Sequence, residues 1–447
     1  MQYELNNDIK QGIESGHNLI ISGAAGTAKS TNIRSIIRDY GQTKKIVLCS
    51  TTGISAVNIG GQTLHSFLNI GLCKTNDIQR EFQRIVNSPY NKWEQVRQAD
   101  ILIIDECSML DGFLFTLIEQ ILRRIRKNEE PFGNLQVCMF GDLYQLPPVQ
   151  VEQNKYFFET ETFAFGNFKP IVLKKIYRQE NKQFIDVLNR IRIGKQTQSD
   201  IDWLNKRDTS ASVNYALLDT TCLFPTNAEA NKLNEYRLNQ LDGELYEFMA
   251  EDVACDYRQR METNIFTMSD EVKEQMIEQE EQRLTVKYNK YLRVPEKLQL
   301  KEGARVILLY NVDVKRGLCN GTTGKFKRKE GNLLICEFNN REEAIERHCF
   351  EVYEHDLKIF TRNQYPLRLG YGITIHSSQG MTLNSVAINF SKIFSACQAY
   401  VALSRCKSYD GLYLKNLSMD KVFIDNRVVE FMNRLEEYER ITNGTST

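Results

Sequence analysis

Residues 20–31 read I-I-S-G-A-A-G-T-A-K-S-T, a pattern that predicts a buried strand, a glycine-bearing loop and the start of a helix. The backbone N–H groups of such a loop and the positive end of the helix favour a bound triphosphate. Gly23 and Gly26 supply the flexible positions of the loop. Lys29 adds a positive charge, and the hydroxyl of Ser30 can ligate Mg²⁺. The stretch therefore predicts a phosphate-binding loop around which the rest of the chain is organised.

Ala28 departs from the usual pattern of this loop, in which a glycine precedes the lysine. The added methyl group is tolerated if Ala28 has helical φ and ψ angles, and it obstructs the loop if the position requires a positive φ. Taken alone, the stretch is also compatible with an accidental Gly/Ala turn. The segments downstream decide between the two interpretations.

The length and charge of the chain limit what kind of protein it is. A chain of 447 residues is longer than one domain usually sustains, so we expect two or three domains. Lys+Arg and Asp+Glu are equal at 57 each, and the hydrophobic content of 42% is typical of a globular protein with a substantial core. Because the formal net charge is zero, any nucleic-acid site must be a local basic groove and not a property of the whole surface.

The 11 cysteines are scattered through the chain and form no C-x-x-C pair. Four of them lie in or beside apolar, strand-like runs: Cys49, Cys107, Cys138 and Cys336. We expect buried thiols in a reducing compartment. His348, Cys349 and His355 could suggest a metal site, but they lack a second cysteine pair at ligand spacing, so an ordinary surface segment is favoured. No run reaches the ~18 apolar residues of a membrane span, and residues 1–10 lack a signal or transit pattern.

Two further segments end strands in polar residues suited to nucleotide hydrolysis. Residues 100–106, D-I-L-I-I-D-E, predict a buried parallel strand that delivers Asp105 and Glu106 at its carboxyl end. Asp105 would hold Mg²⁺, and Glu106 would orient and deprotonate the attacking water. Residues 137–149, V-C-M-F-G-D-L-Y-Q-L-P-P-V, predict a strand and a sensor loop in which Gln145 detects the γ-phosphate. Residues 1–168 therefore form a nucleotide-hydrolysing α/β domain, with residues 71–98 as a small excursion.

Other polar segments are candidates for nucleic-acid contact or for charge neutralisation. Residues 50–67, rich in Ser, Thr and Gly, are suited to gripping a sugar-phosphate backbone, or are equally a capped helix and a polar loop. Arg178, at a predicted strand end, and Arg405, near a helix end, are candidate arginine fingers, with surface salt bridges as the alternative. Residues 225–227 form another polar strand end, and residues 367–382 form a switch-like segment.

The composition changes within the second half of the chain. Residues 270–289 are strongly charged with few apolar anchors, which favours a solvated helix or a mobile arm. Residues 300–360 contain short alternating strands separated by glycines, which is typical of a small β-barrel. The predicted domains are residues 1–168; residues 169–236 with 361–447; and an insertion at 237–360, divided into a charged arm at 237–299 and a barrel at 300–360.

The ordered set of motifs resembles that of superfamily 1B helicases, and most of all the PIF (petite integration frequency) family. The motifs are G-A-A-G-T-A-K-S, T-T-G-I-S-A-V-N-I-G-G-Q-T-L-H-S-F, I-I-D-E-C-S-M-L, G-D-L-Y-Q-L-P-P-V, Y-R-Q, T-I-H-S-S-Q-G-M-T and Y-V-A-L-S-R-C. Residues 184–194 resemble the family's own signature segment. The resemblance implies an α/β fold with two RecA-like P-loop domains, ATP between them and an inserted SH3-like β-barrel. It also implies an ATP-dependent DNA helicase that moves 5′→3′ on single-stranded DNA and unwinds duplex DNA.

The resemblance also assigns residues to ATP and to DNA. The implied catalytic residues are Lys29, Asp105, Glu106, Gln145, Arg178 and Arg405. The implied nucleotide-binding residues are Gly23, Ala24, Ala25, Gly26, Thr27, Ala28, Lys29, Ser30, Thr31, Gln379 and Gly380, with Ser30 and Asp105 as ligands of Mg²⁺. The implied DNA contacts are Thr51, Thr52, His65, Pro148, Thr226, Asn227, His376 and Thr382. We expect ATP and Mg²⁺ as cofactors and a monomer in an intracellular compartment that contains DNA, cytoplasm or nucleus. The expected partners are single-stranded DNA, forked or tailed duplexes and, as a further candidate, G-quadruplex DNA.

The chain departs from the family's pattern at three places. Ala28 replaces the last glycine of the loop, and Ser377 stands where a lysine is common. The family's adenine-reading glutamine has no clear counterpart, with Asn6 or Gln11 nearest. Two alternatives stay open: a single-stranded DNA translocase that does not separate strands, and a DNA-binding module with a weakened ATPase.

Overall fold

The computed structural model describes most of the chain. The described residues are 4–52, 55–56, 59–68, 70, 73, 75–87, 93–148, 155–208, 219–263, 269–289, 292, 294–310, 312–313, 316–354 and 357–444. By its internal contacts the chain divides into two compact units, Met1–Ala211 with Ile388–Thr447, and Ser212–Ala387.

The first half of the chain mixes helices and strands, and residues 297–389 are mostly strands. The described helices are α1 (Asn7–Glu14), α2 (Lys29–Tyr40), α3 (Leu64–Phe67), α4 (Ile78–Val86), α5 (Glu94–Gln98), α6 (Gly112–Arg126), α7 (Glu161–Phe165), α8 (Lys182–Arg192), α9 (Gln198–Asn205), α10 (Asn227–Asn239), α11 (Cys255–Thr263), α12 (Asp270–Tyr288), α13 (Gln398–Ser404) and α14 (Asn426–Gly444). The described strands are β1 (Leu19–Gly23), β2 (Ile46–Ser50), β3 (Gln62–Thr63), β4 (Ile101–Asp105), β5 (Gln136–Gly141), β6 (Lys169–Leu173), β7 (Thr221–Phe224), β8 (Tyr246–Met249), β9 (Glu251–Val253), β10 (Lys297–Leu300), β11 (Arg305–Leu308), β12 (Thr323–Glu330), β13 (Leu333–Phe338), β14 (Arg341–Ile345), β15 (His348–Glu354), β16 (Leu357–Gln364), β17 (Leu367–Leu369), β18 (Gly372–Thr374), β19 (Val386–Asn389) and β20 (Leu412–Lys415).

A six-stranded parallel sheet forms the centre of the first unit, in the order β3-β2-β4-β5-β1-β6. Both faces of the sheet are covered, so the middle strands read as continuous apolar runs. Leu102 and Ile104 of β4 belong to one core, whereas Ile101 and Ile103 belong to the core on the other face. The two strand ends that were predicted to carry chemistry, β4 and β5, therefore lie side by side in the sheet.

Local sequence explains why the helix after β6 begins and packs where it does. The side chain of Asn181 caps α8 by accepting from the N–H of Phe184. Phe184, Val187 and Ile191 recur at helical spacing and are buried. This packing fixes the direction of α8 and brings Arg192, at its last turn, to the carboxyl edge of the sheet.

The second unit contains antiparallel sheets and one parallel pair. One antiparallel sheet has the order β14-β13-β12-β11-β17, and β15-β16-β9 and β10-β8 form two smaller sheets. Alternate residues of the five-stranded sheet, such as Phe326, Leu334 and Phe338, are buried in one core. Strand β18 pairs in parallel with β7, with Ile373 opposite Leu223. The alternating strands between glycines that the sequence predicted are present here.

The charged segment 270–289 forms a helix that is anchored. Most of its acidic and basic side chains are solvent-facing, but Ile277, Leu284 and Tyr288 are buried. Leu284 and Tyr288 pack with Phe360 of β16. The prediction of a solvated helix describes its outer face, and Leu284 and Tyr288 are the anchors that hold the inner face on the small sheet.

Several smaller predictions are tested by burial and strand bounds. The four cysteines predicted to be buried thiols are buried and free: Cys49, Cys107, Cys138 and Cys336. Arg178 does not end a strand as predicted, because β6 stops at Leu173 and the exposed Lys174 and Lys175 follow it. His355, part of the metal site that the sequence disfavoured, lies outside the described residues. In the part of the chain that the structure describes, no helix is long and apolar enough to cross a membrane.

Candidate active site

The phosphate-binding loop connects β1 to α2 and depends on two glycines. Gly26 has a φ of +82°, and a Cβ there would lie 2.5 Å from the Cβ of Arg178. A Cβ on Gly23 would lie 2.4 Å from the hydroxyl of Thr27. That hydroxyl donates to the carbonyl of Ala24 at 2.9 Å and closes the loop. Neighbouring atoms therefore leave no room for a Cβ at either glycine, and the left-handed backbone of Gly26 also favours glycine there.

Ala28 has the conformation in which its methyl group is unfavourable. Its φ of 65° and ψ of 28° lie in the left-handed region, at the N-cap of α2. The carbonyl of Ala28 accepts from the N–H groups of Thr31 and Asn32, so the helix starts normally after it. The sequence left open whether Ala28 has helical angles or a positive φ, and the structure shows a positive φ.

Lys29 is held against the loop that precedes it. Its Nζ donates to the carbonyls of Gly23 at 2.6 Å and Ala24 at 3.0 Å. Burial lowers the pKa of Lys29, against the attraction of acidic neighbours that include Asp142 and Glu106. The ammonium group is thus close to the loop, where its charge is poorly screened by water.

The two carboxylates after β4 lie in different surroundings. Asp105 is 5% exposed, and burial, followed by the charge of Glu106, raises the pKa of Asp105 to about 7. Its Oδ1 accepts from the N–H of Glu106 at 2.9 Å. Glu106 has a left-handed backbone with φ of 54°, which turns the chain sharply at the strand end. Backbone strain of this kind often occurs at functional sites.

The residues predicted to hold Mg²⁺ have a suitable chemistry. Ser30 is exposed in the first turn of α2, and Asp105 is a buried carboxylate whose charge a cation would stabilise. Among the described residues, no group of three or more His, Cys, Asp or Glu could hold a metal by itself. Mg²⁺ usually binds one or two protein oxygens together with phosphate and water. The donor set therefore fits Mg²⁺ that binds with a phosphorylated ligand.

The sensor loop after β5 is fixed by one buried aspartate. Asp142 is 0% exposed, and its Oδ2 accepts from the Nε2 of Gln145 at 3.2 Å. Gln145 is 4% exposed, and its Oε1 has no hydrogen-bond partner among the described residues. A buried amide oxygen without a partner is costly unless it serves a ligand. This geometry is suited to the sensor role that the sequence predicted for Gln145.

Arg178 and Arg405 lie together at the same site. Arg178 donates from Nη1 to the carbonyl of Ser404 at 3.1 Å, one residue before Arg405. Burial, followed by the charge of Arg405, lowers the pKa of Arg178 to about 9. Arg405 is 1% exposed and donates to the carbonyl of Val401 and the hydroxyl of Ser404. A surface salt bridge, the alternative considered from the sequence, does not describe a buried Arg405.

A buried network joins these parts, and the sequence did not predict it. Arg192 of α8 forms an ion pair with Asp142 at 2.9 Å. The hydroxyl of Tyr400 donates to Asp142 at 3.2 Å and accepts from the N–H of Ala25 at 3.0 Å. The phosphate-binding loop, the sensor loop, α8 and α13 therefore meet at one carboxylate.

A cavity of about 540 Å³ lies beside the phosphate-binding loop. Asn6, Thr27 and Tyr177 are among its lining residues. The side-chain oxygen of Asn6 caps α1 by accepting from the N–H groups of Asp8 and Ile9. Of the two residues nearest to the family's adenine-reading glutamine, Asn6 lines this cavity, whereas Gln11 lies on the exposed side of α1 and is not among the lining residues.

The predicted DNA contacts of the first unit are partly engaged within the protein. The hydroxyl of Thr51 donates to the carbonyl of Glu106 at 2.9 Å, and that of Thr52 donates to Ser55 at 3.0 Å. His65 lies in α3, where burial lowers its pKa. Pro148 is buried. Thr51 therefore connects the candidate DNA segment directly to the acidic strand end.

The predicted DNA contacts of the second unit lie at strand ends and are exposed. Thr226 and Asn227 follow β7 at the start of α10, and the hydroxyl of Thr226 donates to Glu229 at 3.2 Å. His376 and Thr382 are exposed in the segment after β18, where partial desolvation lowers the pKa of His376. Gln379 is 7% exposed in the same segment, and Gly380 has a φ of 80°.

Comparison with known proteins identifies the family. Residues 2–202 match the model of PIF1-like helicases, and residues 289–327 match that of the 2B domain of the DNA helicase Pif1. The crystal structure of the Pif1 helicase from Candida albicans is 30% identical and has a TM-score of 0.76, over 97% of this chain and 100% of that chain. This chain belongs to the Pif1 helicase family.

Two more Pif1 proteins are similar to this chain. The ATP-dependent DNA helicase PIF1 of Xenopus laevis is 32% identical over 440 residues, which are 97% of this chain and 64% of that protein. The chain thus spans less than two thirds of that relative's length. A Pif1 helicase from Bacteroides in complex with ADP-AlF3 and ssDNA is 26% identical, with a TM-score of 0.63 over 97% of this chain and 98% of that chain.

The likeness to Pif1 structures confirms the predicted fold class. The chain has an α/β fold with two RecA-like domains and an inserted, small β-domain. The predicted boundaries of those domains are not tested by these likenesses and stay predictions.

Sequence reasoning missed three residues of this Pif1 site: Asp142, Arg192 and Tyr400. Asp142 and Tyr400 stand inside motifs in which other residues were singled out, and Arg192 ends a helix noted for its apolar face. The only local signal was the position of Asp142 directly after a buried strand. The contacts among residues 25, 142, 192 and 400 join distant parts of the chain, so the spacing of residues in the sequence does not predict them.

Proposed function

We propose that this chain is an ATP-dependent DNA helicase that moves 5′→3′ along single-stranded DNA and unwinds duplex DNA. The observation that supports this most is the gathering of the predicted ATPase residues within one unit. The charges of Asp105, Glu106 and Asp142 act on Lys29, and that of Glu106 acts on both Arg178 and Arg405. Single residues of these types are common, but their convergence on one loop is typical of phosphoryl transfer.

Each residue of the site has a proposed task in hydrolysis. Lys29 and the loop N–H groups bind the phosphates, and Ser30 and Asp105 would hold Mg²⁺, which neutralises phosphate charge when bound. Glu106 orients and deprotonates the attacking water, and Gln145 contacts the γ-phosphate or that water. Arg178 and Arg405 stabilise the charge that develops on the transferred group. Gln379 and Gly380 stay predicted nucleotide contacts.

The cavity beside the loop is the proposed site of the nucleobase. Tyr177 offers an aromatic face, and Asn6 offers amide N–H groups because its oxygen is used in capping α1. This proposal identifies Asn6, and not Gln11, as the residue nearest in role to an adenine-reading glutamine.

Single-stranded DNA is the proposed substrate on which the motor moves. The Bacteroides relative binds ssDNA together with ADP-AlF3, and we extend both ligand classes to this chain. The proposed DNA contacts are Thr51, Thr52, His65, Pro148, Thr226, Asn227, His376 and Thr382. Hydroxyl and imidazole groups at strand ends contact the sugar-phosphate backbone and need no particular base sequence. ATP binding and hydrolysis then alternate the strength of two DNA-contacting surfaces, so that the strand advances in one direction.

Further parts of the proposal concern partners and setting. We propose forked and tailed duplexes as substrates, G-quadruplex DNA as a further candidate, and a monomer as the working form. The buried free thiols favour a reducing compartment, which for this activity must contain DNA.

Strand displacement on two duplexes tests the proposal. One duplex carries a 5′ single-stranded tail and the other a 3′ tail, and both are incubated with ATP and Mg²⁺. We expect unwinding of the 5′-tailed duplex only. The matched control is Glu106→Gln, which has the same shape but lacks the base, and should bind DNA normally while ATP turnover falls by about 10²-fold or more.

The other outcomes separate the alternatives. Unwinding of the 3′-tailed duplex alone would refute the direction while keeping the motor. DNA-stimulated ATP turnover without unwinding would favour the translocase. DNA binding without any turnover in the parental chain would favour a DNA-binding module with a weakened ATPase.

A further inference from the structure

A buried tyrosine hydroxyl connects the phosphate-binding loop to the sensor loop. Tyr400 is 3% exposed, and its oxygen accepts from the N–H of Ala25 at 3.0 Å and donates to Oδ2 of Asp142 at 3.2 Å. A hydroxyl has one proton, so a donor at Ala25 directs that proton to the carboxylate. The same Oδ2 accepts from the amide of Gln145 at 3.2 Å. Two side chains therefore link Ala25 of the loop to the sensor glutamine.

The carboxylate at the centre of this link is kept ionised. Asp142 is 0% exposed, Arg192 donates to its Oδ1 from Nε at 3.0 Å, and the Nη2 of Arg192 lies 2.9 Å from the same oxygen as an ion pair. Burial acts to raise the pKa of Asp142, but the charges of Arg192 and Lys29 outweigh it and lower that pKa. Asp142 is therefore an acceptor for the hydroxyl and the amide at once.

The helix that carries Tyr400 also ends at an arginine of the site. Tyr400 lies within α13, and Arg405 is the C-cap residue of the same helix. Tyr400 is buried, and its hydroxyl already accepts from Ala25 and donates to Asp142. It acts on the reaction through these neighbours, not by touching the substrate.

We propose that Tyr400 is a positioning residue of the ATPase, whose hydroxyl fixes the phosphate-binding loop relative to Gln145 through Asp142. The inference rests on the proposed function, because it requires ATP hydrolysis at this site. Tyr400 keeps the phosphate-binding loop and Gln145 aligned in the transition state of phosphoryl transfer. The loop and Lys29 bind ATP in the ground state. Small misplacements of groups that act only in the transition state lower kcat more than they raise KM.

The test is Tyr400→Phe, which removes one oxygen atom and leaves the ring. The substitution leaves the N–H of Ala25 without its acceptor in a buried site, which costs about 1–3 kcal/mol. If the whole cost raises the activation free energy, kcat falls by about 5- to 150-fold. We expect DNA-stimulated kcat to fall within that range, with KM for ATP changed by less than about threefold. An unchanged kcat in folded Tyr400→Phe overturns the proposal.

The matched control is Tyr156→Phe in the same unit. Tyr156 is 2% exposed, and its hydroxyl donates to the carboxylate of Asp425 at 3.1 Å, outside the site. Both variants lose a Tyr–Asp hydrogen bond, which is buried at Tyr400 and part-buried at Tyr156, so both should lose thermal stability, but only Tyr400→Phe should lose kcat. An equal loss of kcat in both variants would reduce Tyr400 to a structural role and overturn the proposal.

A double-mutant cycle tests the route through Asp142. If Tyr400 acts by placing Gln145, Tyr400→Phe should cost little kcat in a Gln145→Ala background. If the two substitutions instead lower kcat by independent factors that multiply in the double variant, the route through Asp142 is overturned. If Tyr400→Phe does not fold, Asp142→Asn takes its place in the cycle with the same expected outcomes. Absence of turnover in the parental chain would instead refute the proposed function itself, so the two failures are distinguishable.

Discussion

At the scale of the residue, Ala28 shows that backbone conformation at a functional site can oppose the preference of the side chain. A non-glycine residue in the left-handed region is disfavoured by about 1–2 kcal/mol, because its Cβ approaches the carbonyl oxygen. The chain maintains this conformation because α2 starts on the carbonyl of Ala28 while Lys29 is drawn back to Gly23 and Ala24. The strain is thus a cost to stability that the surrounding contacts offset.

Ala28→Gly should therefore stabilise the first unit. The greater freedom of glycine in the unfolded chain partly cancels the relief of strain. The free energy of unfolding should therefore increase by about 0.5–1 kcal/mol. Urea unfolding followed by tryptophan fluorescence measures it, because Trp93 and Trp203, the chain's two tryptophans, both lie in that unit. KM for ATP should stay constant, since the site uses the same loop conformation in both variants.

Ala24→Gly is the control for that measurement. Ala24 lies in the same loop but is not among the residues with positive φ, so glycine there should destabilise by about 0.5–1 kcal/mol. Equal destabilisation by the two substitutions would mean that the left-handed backbone of Ala28 is not strained.

The sequence predicted residue types at this site better than residue contacts. Lys29, Asp105 and Gln145 follow from short motifs, because each motif encodes a strand end and a loop whose geometry is local. The contact between Tyr400 and Ala25 is not local, and hydrogen bonds between such distant residues depend on the finished packing. Even for Ala28 the sequence yielded two cases, since φ at one position is decided by neighbours on both sides.

At the scale of the element, strands were easier to predict than the places where they stop. The apolar runs of β4 and β5 predicted buried strands; β4 ends at Asp105 itself, and β5 ends at Gly141, four residues before Gln145. The strand before Arg178 ends early because two exposed lysines cannot continue into a covered sheet. The chain then returns to the loop, where the N–H of Tyr177 donates to the carbonyl of Gly26 at 2.8 Å.

The anchoring of α12 depends on a buried ion pair that its charged sequence conceals. Arg362 of β16 is 0% exposed and binds the carboxylate of Asp252 in β9, with its Nε at 2.8 Å from Oδ1. Thr285 of α12 donates to the same carboxylate at 2.7 Å. One aspartate therefore joins two strands and the helix, which explains why a helix with few apolar residues stays in place.

Arg362→Met should loosen these three elements together. It leaves the mostly buried carboxylate of Asp252 without its cation, a loss of up to about 3–5 kcal/mol. Hydrogen exchange measured by mass spectrometry should show protection of β9, β16 and α12 falling by about two to three orders of magnitude.

Arg328→Met serves as the comparison for that variant. Arg328 forms exposed ion pairs with Glu330 and Glu342 in the same unit, and water and salt screen such pairs strongly. Its loss should change protection less than about fivefold. A similar effect of both substitutions would show that burial of the Arg362 pair is irrelevant to the anchoring of α12.

At the scale of the whole molecule, the balance of charge constrains how a strand of DNA could be held. With 57 basic and 57 acidic residues, the chain has no overall attraction for a polyanion. The sequence predicted a local basic groove for any nucleic-acid site, whereas the proposed contacts are mostly hydroxyl, amide and imidazole groups. Desolvation lowers the pKa of both His65 and His376, which favours the neutral form of both rings. Neutral donors release few counterions when they bind phosphate.

The affinity for single-stranded DNA should therefore depend weakly on salt and on pH. Each cationic contact contributes a slope of about −0.7 to a plot of log affinity against log salt, so we expect a total slope shallower than about −3. Affinity should also change little from pH 8 to pH 7, because desolvation lowers the pKa of both histidines and favours their neutral forms. Fluorescence anisotropy with a labelled oligonucleotide measures both dependences. Thr226→Ala should weaken binding without changing the slope, since it removes a neutral contact. A slope steeper than about −5 would mean that a cationic groove, and not the neutral strand ends, holds the DNA.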